Sequence, residues 1–128
     1  MFRLIPLIFL ALPALANDQN VSGSFYLEKC ENYNSAPQAM QGWCTGFLMG
    51  AWEGSKGGAS RAVFLLNGVT DSADEATNKL LNVCQPNGVT YGQMSTIFIS
   101  YLLRNRAELD VPARYLVVEA LSEAFPCY

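Results

Sequence analysis

The chain carries four cysteines, Cys30, Cys44, Cys84 and Cys127, and no histidine. An even cysteine count in a short exported chain most simply makes two disulfides, and two crosslinks restrict 128 residues more than any other feature present. A structural zinc site is the competing use of these cysteines. It fits poorly, because no two stand in C-x-x-C spacing and no imidazole is available. Spacing alone leaves all three connectivities open. No metal or other cofactor is expected.

Export is read from the start of the chain, MFRLIPLIFLALPALA. Arg3 precedes an apolar run from Leu4 to Leu12, and Ala14-Leu15-Ala16 supplies a small-x-small cleavage site. That tripartite pattern predicts a signal peptide over residues 1–16, cut after Ala16, and one domain over residues 17–128. A retained anchor is disfavoured: the run is shorter than the roughly 20 residues needed to span a bilayer, and Pro6 and Pro13 interrupt it. No membrane insertion is therefore expected after cleavage. The formal charge is −3 for the full chain and one unit more negative once Arg3 leaves with the leader. A nucleic-acid partner needs a basic footprint, so none is expected.

Helical spacing dominates the remainder, and the fold expected is all-α: a small bundle of five or six helices with two disulfides. A first helix is read over Phe25–Asn32, with Phe25, Leu27 and Cys30 available for packing. Pro37 suits the first turn of a second, from about Gln38 to Trp52. Gly54 to Ser60 reads as a flexible break before a short apolar helix, Arg61 to Leu66. Ser72 and Glu75 match a capping box, as do Thr90 and Gln93. Met94, Ile97, Phe98, Tyr101 and Leu102 then repeat as one face of a helix. Asp110 is read as the cap of the last helix, with Ala113, Leu116, Val117, Ala120, Leu121 and Ala124 facing inward.

The second helix contains an unusual stripe. Gly42, Gly46, Gly50 and Gly54 recur at every fourth position and so fall on one face. Each glycine inside a helix costs about 1 kcal/mol relative to alanine. A transmembrane GxxxG contact would need a longer apolar stretch. Close helix crossing is the expected return, with Gly42, Gly46 and Gly50 admitting a neighbour beside Trp43 and Phe47, and a ligand groove is the alternative.

Catalytic chemistry is sparse, and no catalytic residue is assigned. Histidine, the commonest general base, is missing, and paired cysteines leave no thiolate. Glu28 and Glu31, or Asp71, Asp74 and Glu75, have the spacing of solvated helix faces and helix starts rather than of an acid–base pair. This points to a binding protein.

Three segments carry a resemblance. CTGFLMG (Cys44 to Gly50), VCQPNGVTYGQM (Val83 to Met94) and EALSEAFPC (Glu119 to Cys127) together resemble the Rap/Tai group of immunity proteins of bacterial type VI secretion. The resemblance covers about residues 25–127 and implies a disulfide-bonded helical bundle in the periplasm, similar to the HdeA-type fold. It also implies function by tight binding, commonly as a homodimer, to a secreted peptidoglycan-cleaving amidase effector. The shared motifs are scaffold positions and assign no inhibitory contact. Within that frame Cys30 is paired with Cys44, and Cys84 with Cys127. The loops Gly54 to Ser60 (with Ser55, Lys56, Gly57 and Gly58) and Gln85 to Val89 (with Gln85 and Asn87) are the candidate partner contacts. The alternative function is an HdeA-like stress or chaperone-type binder, which would have to sense acid through Asp and Glu alone.

Overall fold

The computed structural model describes residues 20–68 and 72–128; the expected leader over residues 1–16 lies outside them, as does Asp71. Among the described residues there are five α-helices and no strand: α1 (Gly23–Cys30), α2 (Gln38–Asn67), α3 (Ala73–Leu81), α4 (Tyr91–Arg104) and α5 (Ala113–Ala124). Single 3-10 turns lie at Tyr33–Ser35 and Arg106–Glu108. The all-α expectation holds, and both disulfides join the pairs expected, Cys30 to Cys44 and Cys84 to Cys127.

The main departure from the sequence reading is the length of α2. Its 30 residues, about 45 Å at the helical rise, run through the expected break at Gly54–Ser60 without interruption. Several contacts hold it there. The Ser55 hydroxyl donates to the Ala51 carbonyl (2.7 Å), Lys56 pairs with Glu53 one turn back (2.8 Å), and Ala59 and Val63 are buried on the inner face. Packing of that face outweighs the poor intrinsic propensity of Gly54, Gly57 and Gly58, the usual outcome when propensity and burial conflict. Helix α2 touches each of the other four helices. Its apolar end is left open, with Leu65 and Leu66 exposed.

Helix α1 begins at Ser22, whose hydroxyl accepts from the Phe25 amide (3.1 Å). Its start is tied to the segment before α5. Gly23 N–H donates to Val111 O, Ser24 N–H to Leu109 O and Ala113 N–H to Val21 O, at 2.7 to 3.0 Å. The last of these engages the first amide of α5, whose N-cap is Pro112 rather than the expected Asp110. Tyr26, not Phe25, enters the core from α1. Its ring lies 4.7 Å from Phe98 and 5.5 Å from Phe47, and its hydroxyl donates to the Cys44 carbonyl (3.2 Å). Burial pushes the Tyr26 phenol up to about 12. Around it lie Leu48, Phe98, Leu102, Val117 and Leu121, all sealed from solvent.

The Thr90–Gln93 capping box opens α4 as expected, with reciprocal bonds of 2.9 and 3.1 Å. Ser72 occupies the N-cap of α3, but the box read there is not formed, and Glu75 pairs instead with Lys79 (2.7 Å). Met94, Phe98, Tyr101 and Leu102 are buried as the periodicity predicts, while Ile97 is half-buried and Ala124 exposed.

The close crossing expected over the α2 glycines is not made by any of the described residues. A Cβ built at Gly42, Gly46, Gly50 or Gly54 meets nothing within 4 Å, because the stripe faces away from the core. The glycine that admits a neighbour is Gly23, where a Cβ would lie 2.8 Å from Leu116 Cδ1 and 3.2 Å from the Leu109 carbonyl. Two substitutions with the same chemistry should therefore act in opposite directions. Gly58→Ala, in open helix, should raise stability by about 0.5–1 kcal/mol. Gly23→Ala should lower it by about 1–3 kcal/mol through overpacking. Denaturant melts of the two variants check both signs.

Candidate functional site

The expected contact residues fall on two surfaces. Ser55, Lys56, Gly57 and Gly58 lie on the second half of α2, so they form a helical surface and not a loop. The Ser55 hydroxyl is held by its own helix, as above. Lys56 is drawn down by Glu53 and lies 5.4 Å over the Trp52 ring. Gly57 opens onto a polar cleft of about 470 Å³ between α2 and α3, walled by Glu53, Lys56, Ser60, Asp74, Thr77 and Asn78. Gln85 and Asn87 do stand in a loop, as expected, between α3 and α4, with Gln85 half-buried and Asn87 exposed.

Glu53 joins α2 to the far end of that loop. Its carboxylate accepts from Lys56 Nζ (2.8 Å) and from the Tyr91 hydroxyl (2.6 Å), and Tyr91 is the first residue of α4. The Lys56 bond first, and then the Tyr91 bond, hold the Glu53 carboxyl below its ordinary range. The same contact raises the Tyr91 phenol. Glu53 was missed in the sequence because its role depends on Tyr91, 38 residues away.

The loop Cys84–Val89 is clamped at its start by the Cys84–Cys127 disulfide and by the Cys84 amide donating to Phe125 O (2.7 Å). The Gly88 backbone has φ +87°, a conformation that favours glycine. Beyond it, Val89, Ile97 and Phe125 with Gln93 and Thr96 form a largely apolar groove of about 390 Å³.

The residues read as helix-packing separate into two groups. Trp43 and Phe47 do pack, stacked on each other at 5.8 Å and 19°, with Phe47 against Tyr26 and Trp43 edge-on to Phe25 (6.0 Å). Gly42, Gly46 and Gly50 face outward, with nothing among the described residues within 4 Å of a Cβ built on them. Farther along it, Gly50 and Gly54 border a groove whose other wall is Arg114 and Tyr115 on α5. Arg114 lies 4.6 Å over the Tyr115 ring and donates to Asn20 Oδ1 (3.0 Å). Tyr26 and Gly23, the positions missed on α1, had a legible signal: Gly23, Tyr26, Leu27 and Cys30 stand at i, i+3, i+4 and i+7.

The ionisable groups are arranged as local pairs rather than as a converging set. Glu28 pairs with Lys29 (3.3 Å), Glu75 with Lys79 (2.7 Å) and Arg104 with Glu123 (2.7 Å). All four cysteines are oxidised. Among the described residues no three histidine, cysteine or carboxylate side chains gather as a metal site. No helix among them is long and apolar enough to cross a membrane.

No curated protein and no solved structure matches the chain at a significant level. The family model of the Rap1a immunity proteins matches residues 22–127, from the N-cap of α1 to the last cysteine. The match takes in all five helices and both disulfides, so the chain belongs to the Rap1a immunity protein family.

Proposed function

We propose that the protein is exported by a leader cut after Ala16 and acts in the periplasm as an immunity protein against a peptidoglycan-cleaving, amidase-type effector of type VI secretion. The observation that carries this reading is the family match over residues 22–127. The three sequence motifs and the two disulfides support the finer parts of it.

Inhibition would be by occlusion. The loop carrying Gln85 and Asn87 is fixed at one end by a disulfide and at the other by a capping box. A loop ordered beforehand loses little entropy on binding, so more of its contact energy appears as affinity. Lys56 and Gly57 are the second proposed contact region, at the polar cleft. A homodimer is part of the same reading. The outer face of α2 supports it, because the exposed Gly42, Gly46 and Gly50 would let a second backbone approach beside Trp43.

The decisive measurement is inhibition of purified cell-wall amidase effectors from the same organism by the mature protein. Nanomolar-range inhibition of one of them, weakened roughly tenfold or more by Asn87→Arg with an unchanged circular dichroism spectrum, is the expected result. No inhibition of any such effector would overturn the reading.

Light scattering tests the dimer separately. A mass twice that of the protomer is expected, falling to one protomer in Gly50→Leu. A monomeric wild-type protein would remove the dimer and leave the inhibitor reading to its own test.

A further inference from the structure

The two disulfides occupy opposite environments. Cys30 and Cys44 are wholly buried between α1 and α2, at 0 % exposure each. Cys84 is exposed and Cys127 half-buried. Thiol–disulfide exchange requires a thiolate to reach a sulfur along the S–S axis, so access separates the rates of two otherwise similar bonds. What each bond restrains also differs. The Cys30–Cys44 bond lies inside the core cluster with Tyr26 and Leu48. The Cys84–Cys127 bond joins a surface loop to the segment that follows α5, after the helix has finished at Ala124.

We propose that Cys84–Cys127 is a selectively reducible clasp. A dithiol opens it while Cys30–Cys44 stays closed, and opening frees residues 125–128 and reshapes the groove between Val89, Ile97 and Phe125.

The chemistry is a two-electron exchange. A thiolate of the dithiol attacks Sγ of Cys84, the more exposed residue of the pair, forming a mixed disulfide as the Sγ–Sγ bond breaks and Cys127 leaves as thiolate. The second thiol of the reductant then displaces Cys84. The reductant ends as a disulfide, and Cys84 and Cys127 as thiols after protonation by solvent. The Cys127 thiol has an acceptor already in place, since the Asn78 carbonyl oxygen lies 3.6 Å from its sulfur.

The consequences follow from what else holds the tail. Cys84 N–H donates to Phe125 O (2.7 Å), and Cys127 N–H donates to Asn82 Oδ1 (3.3 Å). Asn82 is in turn fixed by donating to the Ser122 hydroxyl (2.9 Å). These bonds lie at the surface, where water competes for them. Phe125 is one wall of the groove and Val89 another, and the broken bond is the covalent link between their segments. Phe125 packs against the edge of the core cluster, whereas the Cys30–Cys44 bond lies inside it.

The test is a dithiothreitol titration of the folded protein, quenched with N-ethylmaleimide and read by peptide mass spectrometry. Cys84 and Cys127 should be labelled roughly ten times faster than Cys30 and Cys44, or more, with an unchanged far-ultraviolet spectrum. Amide exchange should rise over residues 85–90 and 125–128 and stay constant across α1. The double variant Cys84→Ser/Cys127→Ser should fold with its remaining disulfide intact and show the same exchange pattern. Equal labelling rates, earlier labelling of Cys30 and Cys44, labelling only with loss of helix, or failure of the double variant to fold would each overturn the proposal.

Discussion

The buried clamp between α1 and α2 is the constraint on which the other packing depends. An eight-residue helix such as α1 has little stability of its own, because nucleation costs more than so few hydrogen bonds return. Here it is bonded covalently through Cys30 to Cys44, with the Tyr26 ring and hydroxyl set against the same turn of α2. In the chain-entropy treatment the loops of 14 and 43 residues closed by the two disulfides contribute about 3 and about 4 kcal/mol. Those amounts are large beside the roughly 5–15 kcal/mol that holds a typical domain. With α1 in place, its first turn receives the segment before α5 at Gly23, and that contact closes the bundle.

Helix α2 has an uneven role along its length. Its first half carries Cys44, Leu48 and Trp52 into the core, together with the partly buried Phe47. Its second half buries Ala59 and Val63 in a region served by α3, apart from the main cluster. The outer face is where glycines accumulate and where, among the described residues, nothing lies within 4 Å of a Cβ built on them. Glycine there gains no contact within the protomer, so its intrinsic cost is offset only by the burial on the opposite face. A surface of that kind is free to receive another backbone, whereas Gly23 is already filled.

Much of the architecture could be read from the chain because its signals were local. The α4 face, the Thr90 cap and the α5 stripe all depend on residues within two turns of each other. The readings that went astray depended on distant partners. Gly54 to Ser60 has the composition of a linker, and the burial of Ala59 and Val63, with the Ser55–Ala51 and Lys56–Glu53 contacts, keeps it helical. Four-residue glycine spacing signals a bare helical face but not whether the face looks inward or outward. That was decided by Cys44, Leu48 and Trp52, which place the core on the other side. The candidate site was legible in part. The loop with Gln85 and Asn87 was marked by Pro86 and Gly88, whereas the Glu53–Tyr91 bond joins side chains too far apart in sequence to be matched by pattern.

The electrostatics also bear on what kind of binder this fold makes. Every resolved shift moves a group away from neutrality. Glu53 and Glu75 are lowered by lysine partners, the former also by Tyr91, while Tyr26, Tyr91 and Tyr101 are raised. Lowered carboxyls contribute stability that is present above the ordinary carboxylate range and is lost as the pH falls through their folded values. Raised phenols contribute below their ordinary value of 10.0 and lose that contribution as the pH climbs toward about 12 for Tyr26 and Tyr101. Because the chain has no histidine, no side chain with an ordinary pKa near neutrality lies between these two windows. The two shifted carboxyls are on exposed ion pairs, which contribute little in water, and so they make weak acid sensors. Between these two windows the surface keeps its charge, which suits recognition of one partner by shape.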